Sequence, residues 1–431
     1  MCPSFSTIWQ YKMPMGKIRL TCLLLILVCT GCSHRQTVTS RYPFWGEAVY
    51  LNVPGSEARR SLQLLVPKST DPVKGCLLIV HGMNEHIGRY GNIARHFADR
   101  FIVAGIDLTA HGMSNPVLAK AHESIVNGAA GYDAGNAFLE QAQLGDLQPM
   151  REDLKLALEY LSAHCNRPSD HTPLPIFILS HSLGSLVASS YLLQTKQEPL
   201  TARIKGVIFS GPAFSVTEVP GWRGWFQNPV VRFTFHTHEH FLNPHDEPIP
   251  VMLFNQFVAL ITVPLQDGLI ELLSLPGFRQ LFSPTAPPWV KEYLTDSEEE
   301  KALLGKDKYM IKRTIMRYVL GVEREIIDFR SNMDQFDSPY LLIYSENDPI
   351  TPAWGSNYFA ATTRHKHVHN RVVLLAGNQY HEQLFSAQPL REKILNVIDD
   401  WLQERLNNPV NKHLLIVYSA VDKKVNLHSF E

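Results

Sequence analysis

Cysteine is scarce in this chain of 431 residues, and most of it is concentrated at one end. Of six cysteines, Cys2, Cys22, Cys29 and Cys32 crowd the N-terminus, leaving Cys76 and Cys165 for the rest. Two cysteines make no disulfide framework, so the folded body must rest on a hydrophobic core. Charge of one sign is lacking too. Lys and Arg number 40 against 41 Asp and Glu, a formal net charge of −1. With no basic surplus, nucleic acid is not an expected partner. Neither an internal repeat nor a low-complexity tract occurs. The length fits one large α/β domain with an insertion, or two domains.

A comfortable membrane span is also missing at the N-terminus. Lys17 and Arg19 precede a short apolar run, Leu20 to Val28, followed by Cys29-Thr30-Gly31-Cys32. A basic start, a short apolar stretch and small residues at its end describe a secretory signal. Met13 and Met15 stand just before the basic pair as alternative starts. The Thr-Gly-Cys ending resembles the lipobox of bacterial lipoproteins, with Cys29 where leucine is usual. That resemblance implies lipidation of Cys32 and a bacterial cell-envelope location, lipid-anchored to a membrane. A non-lipidated signal or an uncleaved anchor is the alternative. Cys76 opens an apolar run and reads as core packing; a bond to Cys165 is the other possibility in an exported chain.

What the chain does have is alternation. Ala48–Leu51 and Ser61–Val66 read as a strand pair around a Pro54-Gly55 turn. Four apolar runs follow, beginning at Gly75, Phe101, Ile176 and Ile204, with helical patterns such as Leu154–Leu161 between them. Alternating strands and helices predict an α/β fold with a mostly parallel central sheet and helices on both faces. The alternation stops near Gly211-Pro212, gives way to a segment rich in proline and aromatics, and resumes at Pro339. An inserted cap is expected there. The resulting division is a signal peptide over 1–31 and a linker over 32–42. A first core part covers 43–212, the cap 213–336, a second core part 337–406 and a tail 407–431. Leu414–Tyr418 in the tail reads as an added strand of unknown place.

In open parallel sheets, reactive groups gather beyond the carboxyl ends of the strands. The third core run leads into Phe177-Ile-Leu-Ser-His-Ser-Leu-Gly-Ser185, where Ser182 is flanked two residues away by Ser180 and Gly184. A strand, a tight turn with small flanking residues and then a helix is the context of a nucleophile elbow. Alone the pattern is weak. Serine also needs a histidine to take its proton and a carboxylate to orient that histidine. Asp348 and His381 follow the last two strands, completing the chain order Ser182, Asp348, His381.

The stretches "HGMNEHIGRY", "GIDLTAHGMS", "SHSLGS", "SENDPITP" and "GNQYHEQL" resemble α/β-hydrolases of the monoacylglycerol lipase and lysophospholipase group. The resemblance spans roughly 75 to 400. It implies the α/β-hydrolase fold and a serine hydrolase cleaving carboxylic esters of lipids through an acyl-enzyme on Ser182. The implied oxyanion donors are the backbone N–H groups of Met83 and Leu183. No cofactor and no metal are implied, and no obligate protein partner is evident. Departures are Ala110 and Ser180, where the group usually has glycine, a longer cap, and an extra stretch over about 115–146. A peptidase or short-chain esterase on the same fold, or a non-catalytic surface-binding lipoprotein, are the alternatives.

Other features carry competing readings. Glu346 competes with Asp348 for the acid role, but Asp348 lies further past its strand and precedes Pro349. His86 and His111 read as loop-structuring residues. The runs His236/His238/His240 and His365/His367/His369 invite a metal reading, yet no spaced carboxylate or cysteine set accompanies them. Trp222, Trp225 and Phe226, with Phe233 and Phe235, are expected to line an acyl tunnel or to rest at a membrane interface, plain packing of cap on core being the alternative for any one of them.

Overall fold

The computed structural model describes residues 37–68, 72–127, 137–139, 144–167, 170–242, 248–283, 285–407, 414–419 and 425–429. The expected signal peptide and Cys32 lie outside the described residues, as does part of the 115–146 stretch. From Thr39 onward the chain forms a single compact unit. Its strands are β1 (Glu47–Asn52), β2 (Arg59–Leu65), β3 (Gly75–Val80), β4 (Phe101–Ile106) and β5 (Ile176–His181). They continue as β6 (Ile204–Ser210), β7 (Tyr340–Ser345), β8 (Arg371–Ala376), β9 (Leu414–Ser419) and β10 (Val425–Ser429).

These strands share one sheet in the order β1-β2-β4-β3-β5-β6-β7-β8-β9-β10. The expected hairpin is present: β1 and β2 pair antiparallel, and β2 pairs antiparallel with β4. From β4 to β9 every neighbouring pair is parallel. The tail strand now has a place. It pairs parallel with β8 as β9, and β10 returns antiparallel along it.

β3, β5 and β7 are buried at every position. Helices cover both faces, which is why these strands read as continuous apolar runs rather than alternating ones. Residues Gln148–His164 and Leu183–Gln194 form helices on one face, and Gly91–Phe97 and Leu390–Asn407 pack against the opposite cluster. Cys76 on β3 is bonded to Cys165, which ends the helix Gln148–His164. The disulfide thus staples a strand to a covering helix inside the core.

Between β6 and β7 the chain leaves the sheet and, among the described residues, forms the α-helices Gly221–Leu242, Ile249–Ser274, Pro276–Leu281, Val290–Leu294, Glu298–Lys306 and Met316–Asn332. The first His-x-His-x-His run lies in the first of these helices, not on a strand. His236 and His240 therefore share a face one turn apart, their rings 6.3 Å between centroids, while His238 points to another side of the helix. His236 faces Glu239 and His238 faces Thr262. The second run sits in a short turn before β8.

Candidate active site

β5 delivers His181 and then Ser182 at the middle of the sheet. Ser182 has φ 51° and ψ −120°, a left-handed conformation that only a sharp strand-to-helix turn imposes on a non-glycine residue. A side chain at Gly184 would place its Cβ 2.4 Å from the His81 carbonyl oxygen and 2.6 Å from that of Val80, so only glycine fits. Ser180 is tolerated at the other flank because its hydroxyl donates to the Ile208 carbonyl (3.0 Å) and leaves no buried polar group unpaired. Ala110, the other departure, sits at φ 66°, which explains the usual glycine there.

The loops after β7 and β8 meet Ser182. The Ser182 hydroxyl lies 2.9 Å from His381 Nε2, and His381 Nδ1 lies 2.7 Å from Asp348 Oδ2. A carboxylate only accepts, so the hydrogen sits on Nδ1, and Nε2 is free to accept from serine. Asp348 is fixed in turn: Ile350 N–H donates to its Oδ1 (2.7 Å) and Thr351 hydroxyl to its Oδ2 (2.9 Å). All three residues are buried. Burial disfavours a charged His381, but the charge and hydrogen bond of Asp348, helped by Glu382 and Glu85, outweigh it and leave its pKa raised. Glu346 is placed elsewhere; its Oε2 accepts from Gly377 N–H (2.7 Å).

The oxyanion loop follows β3. His81 Nε2 accepts from Leu108 N–H (3.1 Å), so its Nδ1 donates to the Gly82 carbonyl (2.7 Å). Burial pushes His81 down to about 4, which keeps it neutral in this role. In a trans peptide the N–H points opposite to the C=O. Pinning the Gly82 carbonyl therefore turns Met83 N–H away from His81. Gly82 itself lies against the nucleophile, since an added Cβ would stand 3.0 Å from Ser182 Cβ. Leu183 opens its helix, where first-turn N–H groups have no acceptor within the helix.

His111 is a structural residue as expected: Nδ1 faces the Thr109 carbonyl (2.8 Å) and Nε2 accepts from Asn84 N–H (3.3 Å). His86 departs from expectation. Its Nε2 pairs with Asp307 of the cap (2.8 Å) instead of a backbone group. The cap also grips the site loops directly. His381 N–H donates to the Tyr293 carbonyl, Glu382 N–H to that of Leu294, and Ile311 N–H to that of Asn84.

The tunnel expectation needs correction. Trp222 and Trp225 are 74% and 78% exposed, and Phe226 is 65% exposed. Side chains that open to solvent line no enclosed acyl tunnel. They stand on the outside of the helix Gly221–Leu242 because that helix packs on the core through Phe235, which is buried between Trp354 and Arg330.

Sequence reasoning missed Thr351, which orients Asp348, and a buried set formed by Glu85, Arg89, His181 and Glu382. The Glu85–Arg89 spacing of i,i+4 and the carboxylate directly after His381 were the available signals.

The fold and the serine–histidine–aspartate arrangement define an α/β-hydrolase. The pattern of the serine aminopeptidase S33 family (Hydrolase_4) matches residues 71–388, and the chain belongs to that family. It is 22% identical over 343 residues to a monoacylglycerol lipase of Mycolicibacterium smegmatis, covering 78% of this chain and 90% of that protein. It is 24% identical over 353 residues to an uncharacterized abhydrolase domain-containing protein of Dictyostelium discoideum, covering 82% of this chain and 28% of that longer protein. Among solved structures it resembles a soluble variant of the Saccharomyces cerevisiae monoglyceride lipase (TM-score 0.55, 15% identity, 84% and 98% of the two chains). The Paleococcus ferrophilus monoacylglycerol lipase is similar at TM-score 0.51 and 18% identity, over 80% and 98%. At such identities these structures share the fold.

Proposed function

We propose that the protein is a serine hydrolase that cleaves carboxylic esters of lipids, of the monoacylglycerol or lysophospholipid type, at a membrane surface. The observation that carries this reading is the hydrogen-bonded chain from Ser182 through His381 to Asp348 beside Met83 and Leu183. In the first half-reaction the Ser182 oxygen attacks the ester carbonyl carbon while its proton passes to His381 Nε2. The carbonyl oxygen takes the negative charge and is held by the Met83 and Leu183 N–H groups. Collapse breaks the bond to the alcohol, which leaves with the proton from His381. Water then repeats the sequence on the acyl-enzyme and frees Ser182 and the fatty acid.

The lipid phase is supported by the relatives' names and by the cap. The helix Ile249–Ser274 is long and apolar enough to cross a membrane, and little of it is buried. Its only two charged residues are tied back to the cap helix Met316–Asn332, Asp267 by Arg324 and Glu271 by Arg317. What remains exposed includes Leu253, Phe254, Phe257, Leu260, Ile261 and Leu265. An apolar helical face with aromatics and no unpaired charge matches a lipid surface. Lipid on Cys32 in a bacterial envelope would add a second attachment, and the bonded Cys76 and Cys165 accord with an exporting, oxidising compartment.

A hydrolysis panel tests the reading, with monoacylglycerols, lysophospholipids, short aryl esters and aminoacyl amides as arms. Turnover of the lipid esters, lost in Ser182→Ala, is expected. Preference for the aminoacyl amide would move the reaction to peptide hydrolysis, as the family's description implies.

A further inference from the structure

One buried carboxylate touches two of the loops that build the site and reaches the third through Arg89. Glu85, 2% exposed, uses Oε1 to accept from Gly82 N–H (2.6 Å), from the Tyr90 hydroxyl (2.8 Å) and from His181 Nδ1 (3.0 Å). Its Oε2 is paired with Arg89. Arg89 reaches across to Glu382 with two parallel hydrogen bonds, Nη1 to Oε1 (2.9 Å) and Nη2 to Oε2 (2.8 Å), and stacks over Phe385. Gly82 belongs to the oxyanion loop, His181 immediately precedes Ser182, and Glu382 immediately follows His381. Gly82, His181 and Glu382 each sit within one residue of a group the proposed reaction needs.

We infer that Glu85 is a positioning residue for this hydrolase, acting through Gly82, His181 and the Arg89–Glu382 pair to hold the oxyanion loop, nucleophile and histidine in register. The inference rests on the proposed reaction at Ser182. It follows from how rigid such a junction must be. A carboxylate out of water is stable only when its acceptor sites are filled, and here four donors fill them. Burial alone would raise the Glu85 carboxyl, yet Arg89 holds it well below the usual carboxylate range while also pairing with Glu382, so movement of one loop disturbs the others. Gly82 N–H bonded to Glu85 and Gly82 C=O bonded to His81 leave the Met83 N–H one direction.

A second consequence is electrostatic. The set carries two carboxylates and one guanidinium, and it lies beside the histidine that must become positive during acylation. The His181 ring stands 4.9 Å from that of His381. The groups facing His381 are Asp348, Ser182, Thr351 and His181, its own neighbour Glu382, and Glu85. Glu300 of the cap lies nearby, paired with Arg391 (3.2 Å). Both Glu382 and Glu85 raise the His381 pKa. Removing either charge makes the imidazolium harder to form.

The experiment uses the full-length protein and fluorophosphonate titration, which counts functional serines. Wild-type labelling and lipid-ester turnover, both lost in Ser182→Ala, establish the reaction itself; their absence refutes the proposed function and not the coupling. With the reaction established, Glu85→Gln keeps the shape of the side chain and removes its charge. The expected result is a fall in kcat per titrated site of about 10²-fold, the scale of losing one oxyanion donor. KM should stay within about twofold, and the acid limb of the kcat/KM profile should move to lower pH. Glu382→Gln, which cuts only the histidine arm, should move the acid limb the same way with a smaller loss of kcat. It also serves if Glu85→Gln does not fold. A purely structural role gives a different pattern: fewer titratable sites and a lower Tm, but wild-type kcat per site and an unmoved acid limb. That pattern in the variants that fold overturns the inference.

Discussion

The core and the cap of this chain both hold long apolar stretches, and they dispose of them in opposite ways. β3, β5 and β7 are apolar and buried at every position, because helices cover the sheet on two sides. The cap helix Ile249–Ser274 is equally apolar but meets protein mainly along the helices Gly221–Leu242 and Met316–Asn332. Among the described residues, no second layer covers its outer face. Most of the exposed large apolar side chains among the described residues lie between Trp222 and Phe282. Each leaves roughly 1.5–3 kcal/mol of burial unrealised in water. The same composition stabilises a fold where it is covered and marks a contact surface where it is not.

The sharpest test of that contrast is to break the core without touching the cap. Ser182→Ala should abolish ester hydrolysis and fluorophosphonate labelling, a loss on the order of 10⁴-fold or more, while vesicle binding persists. Loss of vesicle binding in this variant would mean that the two regions are not separable. Asp348→Asn should cost about 10⁴-fold in kcat, since an amide neither stabilises the imidazolium nor enforces the Nδ1–H tautomer. Glu346→Gln, which removes only an acceptor for Gly377 N–H, should stay near wild type. The reverse ranking would transfer the acid role.

Breaking the cap should give the opposite phenotype. Phe254→Ser with Phe257→Ser should lower partitioning into anionic or zwitterionic vesicles by about 10- to 10²-fold, from the apolar area withdrawn. Hydrolysis of a water-soluble butyryl ester should hardly change. Sedimentation with vesicles and a soluble-ester assay decide it; equal loss of both would return these residues to folding. Smaller still is the expected effect of Cys76→Ser with Cys165→Ser. Stability should drop by about 2–4 kcal/mol in a denaturant titration, with kcat per site unchanged. A stability equal to wild type would remove the disulfide from any structural role.

The pH profile sharpens the comparison from the core side. His381 must be neutral to accept the serine proton, and its pKa is raised by Asp348 against the effect of burial. Activity should therefore rise with pH through a limb lying above the ordinary histidine value of about 6.5. A limb at or below that value would mean that the site is more open to water than its burial implies.

The catalytic core was legible because its signals are local and repeated. Buried strands announce themselves as short apolar runs, and each run ends at a residue type the chemistry needs. Ser182, Asp348 and His381 could be picked out because β-strand ends in a parallel sheet converge on one edge. The cap was legible only as an interruption. Trp222 and Trp225 look the same in sequence whether they face a tunnel or a membrane, and the packing of Phe235 on Trp354 and Arg330 decided the rotation of their helix. The His-x-His-x-His run failed for the same reason: its meaning depends on whether the period is that of a strand or a helix.

By itself, then, the sequence determined the order of Ser182, Asp348 and His381 along the chain, the parallel core, and the choice of Asp348 over Glu346 as the partner of His381. Those follow from short-range patterns whose spacing is read directly. Only the tertiary structure decided that Cys76 and Cys165 are bonded, that β9 extends the sheet beside β8, and that Glu85 joins two loops directly and a third through Arg89. These pairings join residues far apart in the chain, and nothing local encodes which distant partner will fill a given donor or bury a given face. They depend on loop closure and packing, which are properties of the whole fold.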